Sequence, residues 1–396
     1  MSYLDKLLEG VEVEWKTLGE VSNVLRGRRL TRESLSSAEK YPVFHGGLEP
    51  LGFYSISNRP ANSVMIINVG ASAGTVGYSS VDFWSSDGCY SIEHSEKVNN
   101  KFLYYYLLGE QHFLKSRVRR AGIPTLDAFV IENLIIPIPC PDNPKKSLEI
   151  QQKIVRILDN FMELTAELTA ELTARKKQYT FYKEQLFNFN EEEVQYLPMG
   201  DESIGKFIRG GGLQKKDFTE SGVGCIHYGQ IYTYYGTYTN KTKSFVSEEF
   251  AKKARMAKYG DLVIATTSET DEDVCKAVAW LGDGEIAVSS DACFYTHKLN
   301  PKYVAFYFQT EQFQKQKRPF ITGTKVRRVN ADDLTKIKIP VPSPEKQESI
   351  VTILDKFDIL TTSISEGLPK EIELRKKQYE YYRNLLLTFP KHNIDS

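Results

Sequence analysis

The sequence shows no excess of charge of either sign, since Lys and Arg together number 51 and Asp and Glu together also number 51. Overall charge therefore predicts neither a nucleic-acid nor a membrane partner, and any binding to a polyanion must rest on local patches or on a helper protein. No uninterrupted apolar run reaches transmembrane length, and residues 1–6 lack the apolar segment of a signal peptide. We therefore expect a cytoplasmic chain without a membrane anchor.

Cysteine is scarce and scattered, and none of its five positions forms a Cys-x-x-Cys pair. This pattern predicts reduced thiols in a cytosol and argues against a disulfide framework or a zinc site. The six histidines are also dispersed, without the spacing of metal ligands. The Asn-Pro-Pro-aromatic motif of adenine methyltransferases is missing as well. We therefore predict neither a catalytic nor a metal site in this chain.

Two glycine-rich stretches approach phosphate-binding motifs without completing them. Gly200 and Gly205-Lys206 have the required spacing, but Phe207 stands where a magnesium-binding hydroxyl is needed, and no apolar strand precedes Gly200. We predict a turn that leads into a second globule. Residues 70–77 follow a β-type run but lack the dinucleotide-binding spacing and lead into another strand. We predict a hairpin there.

A long helix is the strongest feature that is present, and we predict it over residues 144–189. Asn143 can cap it and Pro144 suits its first position, while no further Gly or Pro occurs before Pro198. Its middle, residues 163–174, repeats the unit Glu-Leu-Thr-Ala three times. Apolar residues that recur four and three apart predict a seam for a partner helix. At 1.5 Å per residue the helix would be roughly 70 Å long, which indicates a spacer.

The long helix has a second copy near the C-terminus. The segment QQKIVRILDNF at 151–161 returns as QESIVTILDKF, and RKKQY at 175–179 returns unchanged at 375–379. We expect Gly367 and Pro369 to break or kink this second helix. The repeat describes two similar halves in circular order, each a globule followed by a helix.

The two globules match each other more loosely than the helices do. In the first, short β-type runs at 64–69 and 75–78 alternate with turns, and a helix is predicted over 101–115. The fold class is therefore α+β, with two similar α/β globules and two long helices.

Basic residues recur at two corresponding places in each globule, near its start and after its helix. In the first globule they are Arg26, Arg28, Arg29, Lys115, Arg117, Arg119 and Arg120. In the second they are Arg209, Lys215, Lys216, Lys317, Arg318, Lys325, Arg327 and Arg328. Arg or Lys beside Gly lets a loop approach a phosphate or a base edge in the major groove. A single cluster is more often a solvated face, but recurrence in both halves favours DNA contact, and we add the corresponding His45 and His227 to the set.

On these residues the chain resembles the specificity subunit of a type I restriction-modification system, of the IC kind, over its whole length. The resemblance rests on the tandem units at 163–174, the RKKQY pair, and the Ile-Pro-x-Pro sequence before both helices. Residues 366–374 also fit the distal conserved region of the family. The resemblance implies two target recognition domains that each read half of a bipartite DNA site. It implies two antiparallel helices, packed as a coiled coil with pseudo-two-fold symmetry, as the spacer between them.

The resemblance also implies partners and a division of the chain. The chain itself would be non-catalytic and hold no cofactor, with S-adenosylmethionine, ATP and Mg²⁺ on partner subunits. Those partners would be double-stranded DNA, two methyltransferase subunits and restriction/translocase subunits. The predicted segments are a distal-region segment (1–14), target recognition domain 1 (15–142), the central helix (143–190), target recognition domain 2 (191–342) and the distal helix with its tail (343–396). The expected spacer residues are Leu164, Leu168, Leu172, Tyr179, Phe357, Leu360, Ile364 and Tyr379.

Two other classes of protein stay open from the sequence. A structural coiled-coil adaptor would have no basic surface shared between the globules. An isolated nuclease would have a clustered carboxylate or histidine site. Asp142 and Glu149 approach a nuclease pair, but Gln151 stands where a lysine is expected, so we disfavour that class.

Overall fold

The structure is a computed structural model that describes residues 6–7, 11–190, 192–363 and 365–389. The chain forms two compact units, of which unit 1 comprises Met1–Thr169 and Glu371–Ser396 and unit 2 comprises Ala170–Lys370. Unit 1 is therefore built from both ends of the chain. The five predicted segments divide the chain differently, because compactness groups each globule with the helix surfaces packed on it. Their boundaries stay a prediction.

Unit 1 contains a largely antiparallel globule. Its strands are β1 (Val13–Thr17), β2 (Val24–Arg26), β3 (Tyr41–Phe44), β4 (Gly52–Tyr54), β5 (Ser63–Ile67), β6 (Val76–Ser79), β7 (Trp84–Ser85), β8 (Cys89–Ile92) and β9 (Ile135–Pro139). Its helices are α1 (Leu18–Val21), α2 (Asn100–Gly109), α3 (Gln111–Ser116), α4 (Ala128–Glu132) and the start of α5 (Pro144–Leu186). The sheets have the orders β2-β8-β5-β6, β4-β3-β7 and β1-β9.

Unit 2 repeats this plan with additional strands. Its strands are β10 (Gln195–Pro198), β11 (Gly205–Arg209), β12 (Val223–Ile226), β13 (Tyr238–Thr239), β14 (Ser244–Val246), β15 (Met256–Ala257), β16 (Leu262–Ala265), β17 (Thr267–Ser268), β18 (Ala277–Trp280), β19 (Ile286–Val288), β20 (Ala292–His297), β21 (Arg327–Arg328) and β22 (Lys338–Val341). Its helices are α6 (Tyr228–Thr233), α7 (Glu248–Ala251), α8 (Pro301–Tyr307), α9 (Glu311–Lys317), α10 (Ala331–Leu334) and α11 (Pro344–Thr362), and α12 (Gly367–Leu387) follows. In the described part of the chain, 3₁₀ turns lie at Arg32–Ser34, Lys215–Asp217 and Arg318–Phe320.

The two globules share their sheet topology. The order β11-β20-β16-β18 in unit 2 corresponds to β2-β8-β5-β6 in unit 1, and β14-β12-β19 corresponds to β4-β3-β7. Each globule is also closed by an antiparallel pair of strands, β1 with β9 and β10 with β22. The second strand of each pair leads directly into a long helix, α5 or α11. The repeat seen in the sequence is therefore a repeat of the fold.

The long helices follow the prediction closely. Helix α5 continues without a break to Leu186, near the predicted end, because no Gly or Pro interrupts it. The second copy is broken into α11 and α12, and Gly367 at the start of α12 has φ +81°, which a residue with a Cβ rarely adopts. The single helix predicted over residues 101–115 is wrong. Glu110 has φ −82° and ψ 1°, so the segment divides there into α2 and α3.

Both glycine-rich stretches form the predicted turns. Strands β5 and β6 pair antiparallel around residues 70–74, as expected for a hairpin. Gly200 lies in a turn. The short strand β10 ends at Pro198, just before it, but its residues are exposed or half-buried, so it is not the buried apolar strand that precedes a phosphate-binding loop. The segment nevertheless continues into strand β11 and not into a helix, so the phosphate-loop fold is not formed.

In each unit the globule is tied to a long helix by the same polar contacts. In unit 1 the backbone N of Asn99 donates to Gln151 Oε1 (2.7 Å), and Lys101 Nζ donates to Asp159 Oδ2 (2.9 Å). The equivalent bonds in unit 2 run from Asn300 N to Gln347 Oε1 (2.8 Å) and from Lys302 Nζ to Asp355 Oδ2 (2.6 Å). Recurrence of these contacts shows that helix docking is the common framework of the repeat.

Aromatic pairs join helix to helix within each unit. Phe161 of α5 stacks on Tyr382 of α12 in unit 1, with ring centroids 5.1 Å apart. Tyr179 of α5 stacks on Phe357 of α11 in unit 2 at 6.0 Å. Tyr179 and Tyr379 are buried, whereas Leu164 is exposed. Leu168, Leu172, Phe357 and Leu360 are half-buried, and Ile364 lies outside the described residues. Burial along the predicted seam therefore ranges from the buried tyrosines to the exposed Leu164. No helix within the described ranges is long and apolar enough to cross a membrane.

Candidate nucleic-acid interface

The first basic cluster of each globule, near the start of the globule, lies close to a Ser-Ser-Asp turn. Arg26 ends β2, and a Cβ at the next residue, Gly27, would overlap the carbonyl oxygen of Ser86. Arg209 ends β11, and a Cβ at Gly210 would overlap the carbonyl oxygen of Ser289 in the same way. Glycine is therefore required by close backbone approach, and the preceding arginine is held at the turn. The Arg-Gly dipeptide therefore contacts the Ser-Ser-Asp segment in both units.

The side chains at this first place face solvent. Arg26, Arg28, Arg29, Arg209, Lys215 and Lys216 are all exposed. The backbone N of Arg28 donates to Ser85 O (2.8 Å), and Trp84 Nε1 donates to Arg28 O (2.7 Å). The arginine backbone is thus fixed while its guanidinium remains available.

Arg59 supports this place and was missed by the sequence reasoning. Its guanidinium donates to the carbonyl oxygens of Arg26 (2.7 Å) and Asn58 (2.7 Å) and, through Nε, to Ser91 Oγ (2.5 Å). Burial lowers the pKa of Arg59. A single arginine outside any basic run carries no pattern in the sequence, so only the folded sheet reveals this role.

The two corresponding histidines differ in what they can contact. His45 is partly exposed, and its Nδ1 lies 3.2 Å from Asp87 Oδ1 and 3.1 Å from the backbone N of Gly88. His227 is buried, and its Nδ1 accepts from the backbone N of Gly229 (3.2 Å) as the cap of α6. Burial, followed by the charge of Lys215, lowers the pKa of His227. The assignment of His227 as a DNA contact is therefore corrected to a structural role, because its acceptor atom is used inside the fold.

The prediction that Lys317 contacts DNA is also corrected. Its side chain is fully buried, and its Nζ donates to the carbonyl oxygens of Asp271 (2.8 Å), Glu272 (3.1 Å) and Val274 (2.8 Å). Burial lowers the pKa of Lys317. Three backbone acceptors take its three donors, so Lys317 anchors the loop after β17 and cannot reach DNA.

The second basic place lies on a seven-residue hairpin in each unit. Arg119 and Thr125 exchange both backbone hydrogen bonds in unit 1 (2.9 and 3.0 Å), and Thr322 and Arg328 do so in unit 2 (2.9 Å each). We call residues 119–125 and 322–328 the basic hairpins. Gly122 and Gly323 within them have φ +81° and +87°. The seventh residue of each pairs with the segment after a central strand, Thr125 with Val69 and Arg328 with Thr267.

The basic side chains on the hairpins and just before them are exposed or held in ion pairs. Arg119 lies 3.1 Å from Asp127, and Arg327 lies 2.8 Å from Asp271. Arg318 lies 3.1 Å from Glu311. The exposed remainder consists of Lys115, Arg117, Arg120, Lys325 and Arg328. These acidic partners fix the direction of some arginines and leave others free to meet a phosphate.

The two basic places meet in unit 2. Arg209 and Arg328 line the same polar cavity of about 160 Å³, with Thr266, Ser290 and Asp291 among its other walls. In unit 1 the backbone N of Leu126 donates to Asn68 O (2.9 Å), and Asn68 Nδ2 reaches Asp87 O (3.4 Å). The hairpin and the Ser-Ser-Asp turn are therefore joined in each globule. In each globule the two basic clusters, which are separate in the sequence, therefore lie beside the same Ser-Ser-Asp turn.

The RKKQY segments on the helices behave alike. Arg175 lies 3.4 Å from Glu171 and donates to Gln178 Oε1 (3.0 Å). Arg375 lies 3.6 Å from Glu371 and donates to Gln378 (3.2 Å). These are contacts within one helix, as expected of a hydrophilic face.

The family profile described as Type I restriction modification DNA specificity domain matches residues 10–175 and 202–374. The chain belongs to the type I restriction-modification specificity subunits. It is 35% identical to the EcoR124I/EcoR124II specificity subunit of Escherichia coli, over 99% of this chain and 98% of that protein. It is 32% identical to a putative type I specificity subunit of Haemophilus influenzae, over 98% of each.

Solved structures share the fold of this specificity subunit. The S subunit of M. genitalium superposes with a TM-score of 0.57 at 17% identity, covering 99% of this chain and all of that one. A chain from a structure of type I restriction-modification complex assembly gives 0.60 at 13% identity, covering 95% and 97%. At these identities the likeness concerns the α+β fold with its repeated domains. Within the described part of this chain, no three His, Cys, Asp or Glu side chains group as metal ligands.

Proposed function

We propose that this chain reads a bipartite DNA site, one half-site with the globule of unit 1 and the other with the globule of unit 2, and performs no chemistry itself. The observation that carries the proposal is that two basic clusters lie beside the same Ser-Ser-Asp turn in each globule, around Arg26 and Arg119 in unit 1 and around Arg209 and Arg328 in unit 2. A backbone held by close contact at a glycine, with exposed guanidinium groups beside it, suits contacts to phosphates and to guanine edges.

The helices supply the separation between the half-sites. We take α5, α11 and α12 to form an antiparallel coiled-coil spacer that relates the globules by pseudo-two-fold symmetry. The recurrence of the Lys–Asp and Asn–Gln contacts in both units supports this, since a closed repeat would present equivalent surfaces twice. The stacked rings of Phe161 with Tyr382 and of Tyr179 with Phe357 would form the seam.

The chemistry and much of the affinity belong to partner subunits. We propose two methyltransferase subunits, which bind S-adenosylmethionine and hold the flipped adenine, and restriction/translocase subunits with ATP and Mg²⁺. The E. coli relative is named as the specificity subunit of a type I restriction enzyme, which supports this assembly. A chain with equal numbers of acidic and basic residues displaces few counterions from DNA, so it should bind DNA only weakly without its partners. We place the assembly in the cytoplasm.

Methylome sequencing of cells that carry this chain with its methyltransferase tests the proposal. We expect methylated adenine within one bipartite motif. Arg26→Ala and Arg209→Ala should each relax a different half of that motif, with Lys356→Ala, an exposed position on helix α11, as the control. Methylation without a bipartite motif would contradict the proposal.

A gel shift separates the other classes of protein. We expect a DNA complex when the methyltransferase subunits are present. Absence of any shift under that condition would favour a structural adaptor. Metal-dependent cleavage by the isolated chain would favour a nuclease.

A further inference from the structure

One aliphatic side chain projects from the same position of both basic hairpins. Counting from the residue that opens each hairpin, the fifth residue is Ile123 in unit 1 and Val326 in unit 2. Ile123 is 71% exposed and Val326 is 45% exposed. A single exposed aliphatic residue needs no explanation. Recurrence at one structural position in two globules with diverged sequences does need one.

The hairpins hold this position firmly. The seventh residue is paired to the globule in each case, Thr125 with Val69 and Arg328 with Thr267, so the aliphatic side chain lies two residues from an anchored strand. The left-handed glycine differs in place, at the fourth residue in unit 1 and the second in unit 2. The two hairpins thus expose an aliphatic residue at the same position although their left-handed glycines stand at different positions.

The surroundings of the aliphatic group are those of a DNA-facing surface. Exposed Arg120 precedes Ile123 closely in the first hairpin, and exposed Lys325 and Arg328 flank Val326 in the second. Cationic groups around an apolar centre suit a groove whose walls are phosphates and whose floor carries methyl groups. The major groove admits a two-stranded ribbon, and it displays the 5-methyl of thymine as the apolar feature of the bases.

We propose that Ile123 and Val326 are specificity-determining residues that each contact the 5-methyl group of a thymine, one in each half-site. The inference rests on the proposed function and adds to it which side chains read a base, and which base they read. It differs from the contacts proposed for the arginines, because it depends on a methyl group and not on charge or hydrogen bonding.

Deoxyuridine, which lacks only the thymine methyl group, provides the test. The full complex of this chain with its methyltransferase subunits is titrated with duplexes that carry the methylome-defined site, with each thymine replaced in turn by deoxyuridine. Loss of one buried methyl should weaken binding about fourfold. We expect one sensitive position in each half-site for the unsubstituted chain.

Variants then assign each sensitive position to one hairpin. Ile123→Ala should remove the deoxyuridine effect in one half-site only, and Val326→Ala in the other only. The conservative Ile123→Val and Val326→Ile should retain it. Each variant serves as the control for the other, because its own half-site changes while the second does not.

The outcomes separate this inference from the proposed function. Tight binding to a bipartite site with no sensitive thymine would overturn the inference and leave the proposed function standing. Sensitivity that persists in Ile123→Ala and Val326→Ala would also overturn it, as would a half-site without thymine. Failure of the unsubstituted complex to bind a bipartite site would overturn the proposed function itself.

Discussion

The Nζ of Lys302 lies 2.6 Å from Oδ2 of Asp355 and joins the globule of unit 2 to helix α11. Both side chains are only about a fifth exposed, at 24% and 20%, and the same ammonium group lies over the ring of Tyr238 at 3.8 Å. Burial opposes the charge on Lys302, but the hydrogen bond and charge of Asp355 raise its pKa overall. Lys302 therefore remains charged inside the interface between globule and helix.

Lys302→Met should lower the free energy of unfolding by about 2 kcal/mol, because the carboxylate of Asp355 loses its partner in a largely buried place. Urea denaturation of the full chain measures this. Lys101→Met is the matched control, since the Lys101–Asp159 pair is more exposed, at 39% and 32%, and should cost within about 1 kcal/mol. Equal losses for the two variants would show that burial of the pair is not the cause.

Lys317→Met should destabilise the chain by about 2–4 kcal/mol, because it leaves the carbonyl oxygens of Asp271, Glu272 and Val274 without their donor. Urea denaturation gives the magnitude. The exposed Lys315→Met should change stability by no more than about 0.5 kcal/mol. A Lys317→Met chain that folds as stably as the unsubstituted chain, yet binds DNA more weakly in the complex, would return Lys317 to the DNA-contacting set.

Acidification should destabilise unit 2 through His297. Burial, which outweighs a contact with the backbone of Leu299, lowers the pKa of His297 to about 4. The unfolded chain, with a histidine pKa of about 6.5, therefore binds the proton first. Stability is fully present above about pH 6.5 and is lost as the pH falls from there towards 4, by at most about 3 kcal/mol.

His297→Phe should keep the ring beside Tyr295 and remove this part of the pH dependence. The informative quantity is the difference between variant and unsubstituted chain in the free energy of unfolding, measured at pH 7 and at pH 5. His227 titrates in both proteins and cancels in that difference. If the difference in unfolding free energy between variant and unsubstituted chain is the same at pH 7 and pH 5, His297 is not the cause of the pH dependence.

Deletion of residues 167–170 should shorten the non-specific spacer of the recognised site and leave both half-sites unchanged. One Glu-Leu-Thr-Ala unit lengthens a helix by about 6 Å, close to two base-pair steps of about 3.4 Å each. Methylome sequencing of the deletion variant reads the spacer directly. A conservative change of the same unit, Leu168→Met, should leave the spacer length unchanged, and an unaltered spacer in the deletion variant would remove the role of the helix as a ruler.

The long helices and the repeat could be predicted because their signals are local. A run of residues without Gly or Pro accounts for α5, and Gly367, with its left-handed φ, stands where α12 begins after α11 has ended at Thr362. The helix over residues 101–115 was mispredicted as continuous although Gly109, a residue that weakens a helix interior, stands directly before the bend at Glu110.

Only part of the candidate site could be predicted from the sequence. Its basic residues form clusters, and their recurrence in the two globules is readable without a structure. The burial of individual residues cannot be read from the sequence. Lys317 is enclosed by a loop more than forty positions earlier in the chain, and His227 caps a helix. The equivalence of Ile123 and Val326 was also hidden, because it appears only when the hairpins are aligned by their backbone hydrogen bonds.

The pairing of β1 with β9 and of β10 with β22 has a consequence for how such a chain can change. Each globule leaves and rejoins the helical framework through two adjacent strands, so its ends remain together whatever lies between them. A foreign globule that supplied the same pair of strands could be exchanged as a cassette without moving α5 or α11. New DNA preferences could then arise by substitution of whole readers, with the scaffold left as it was.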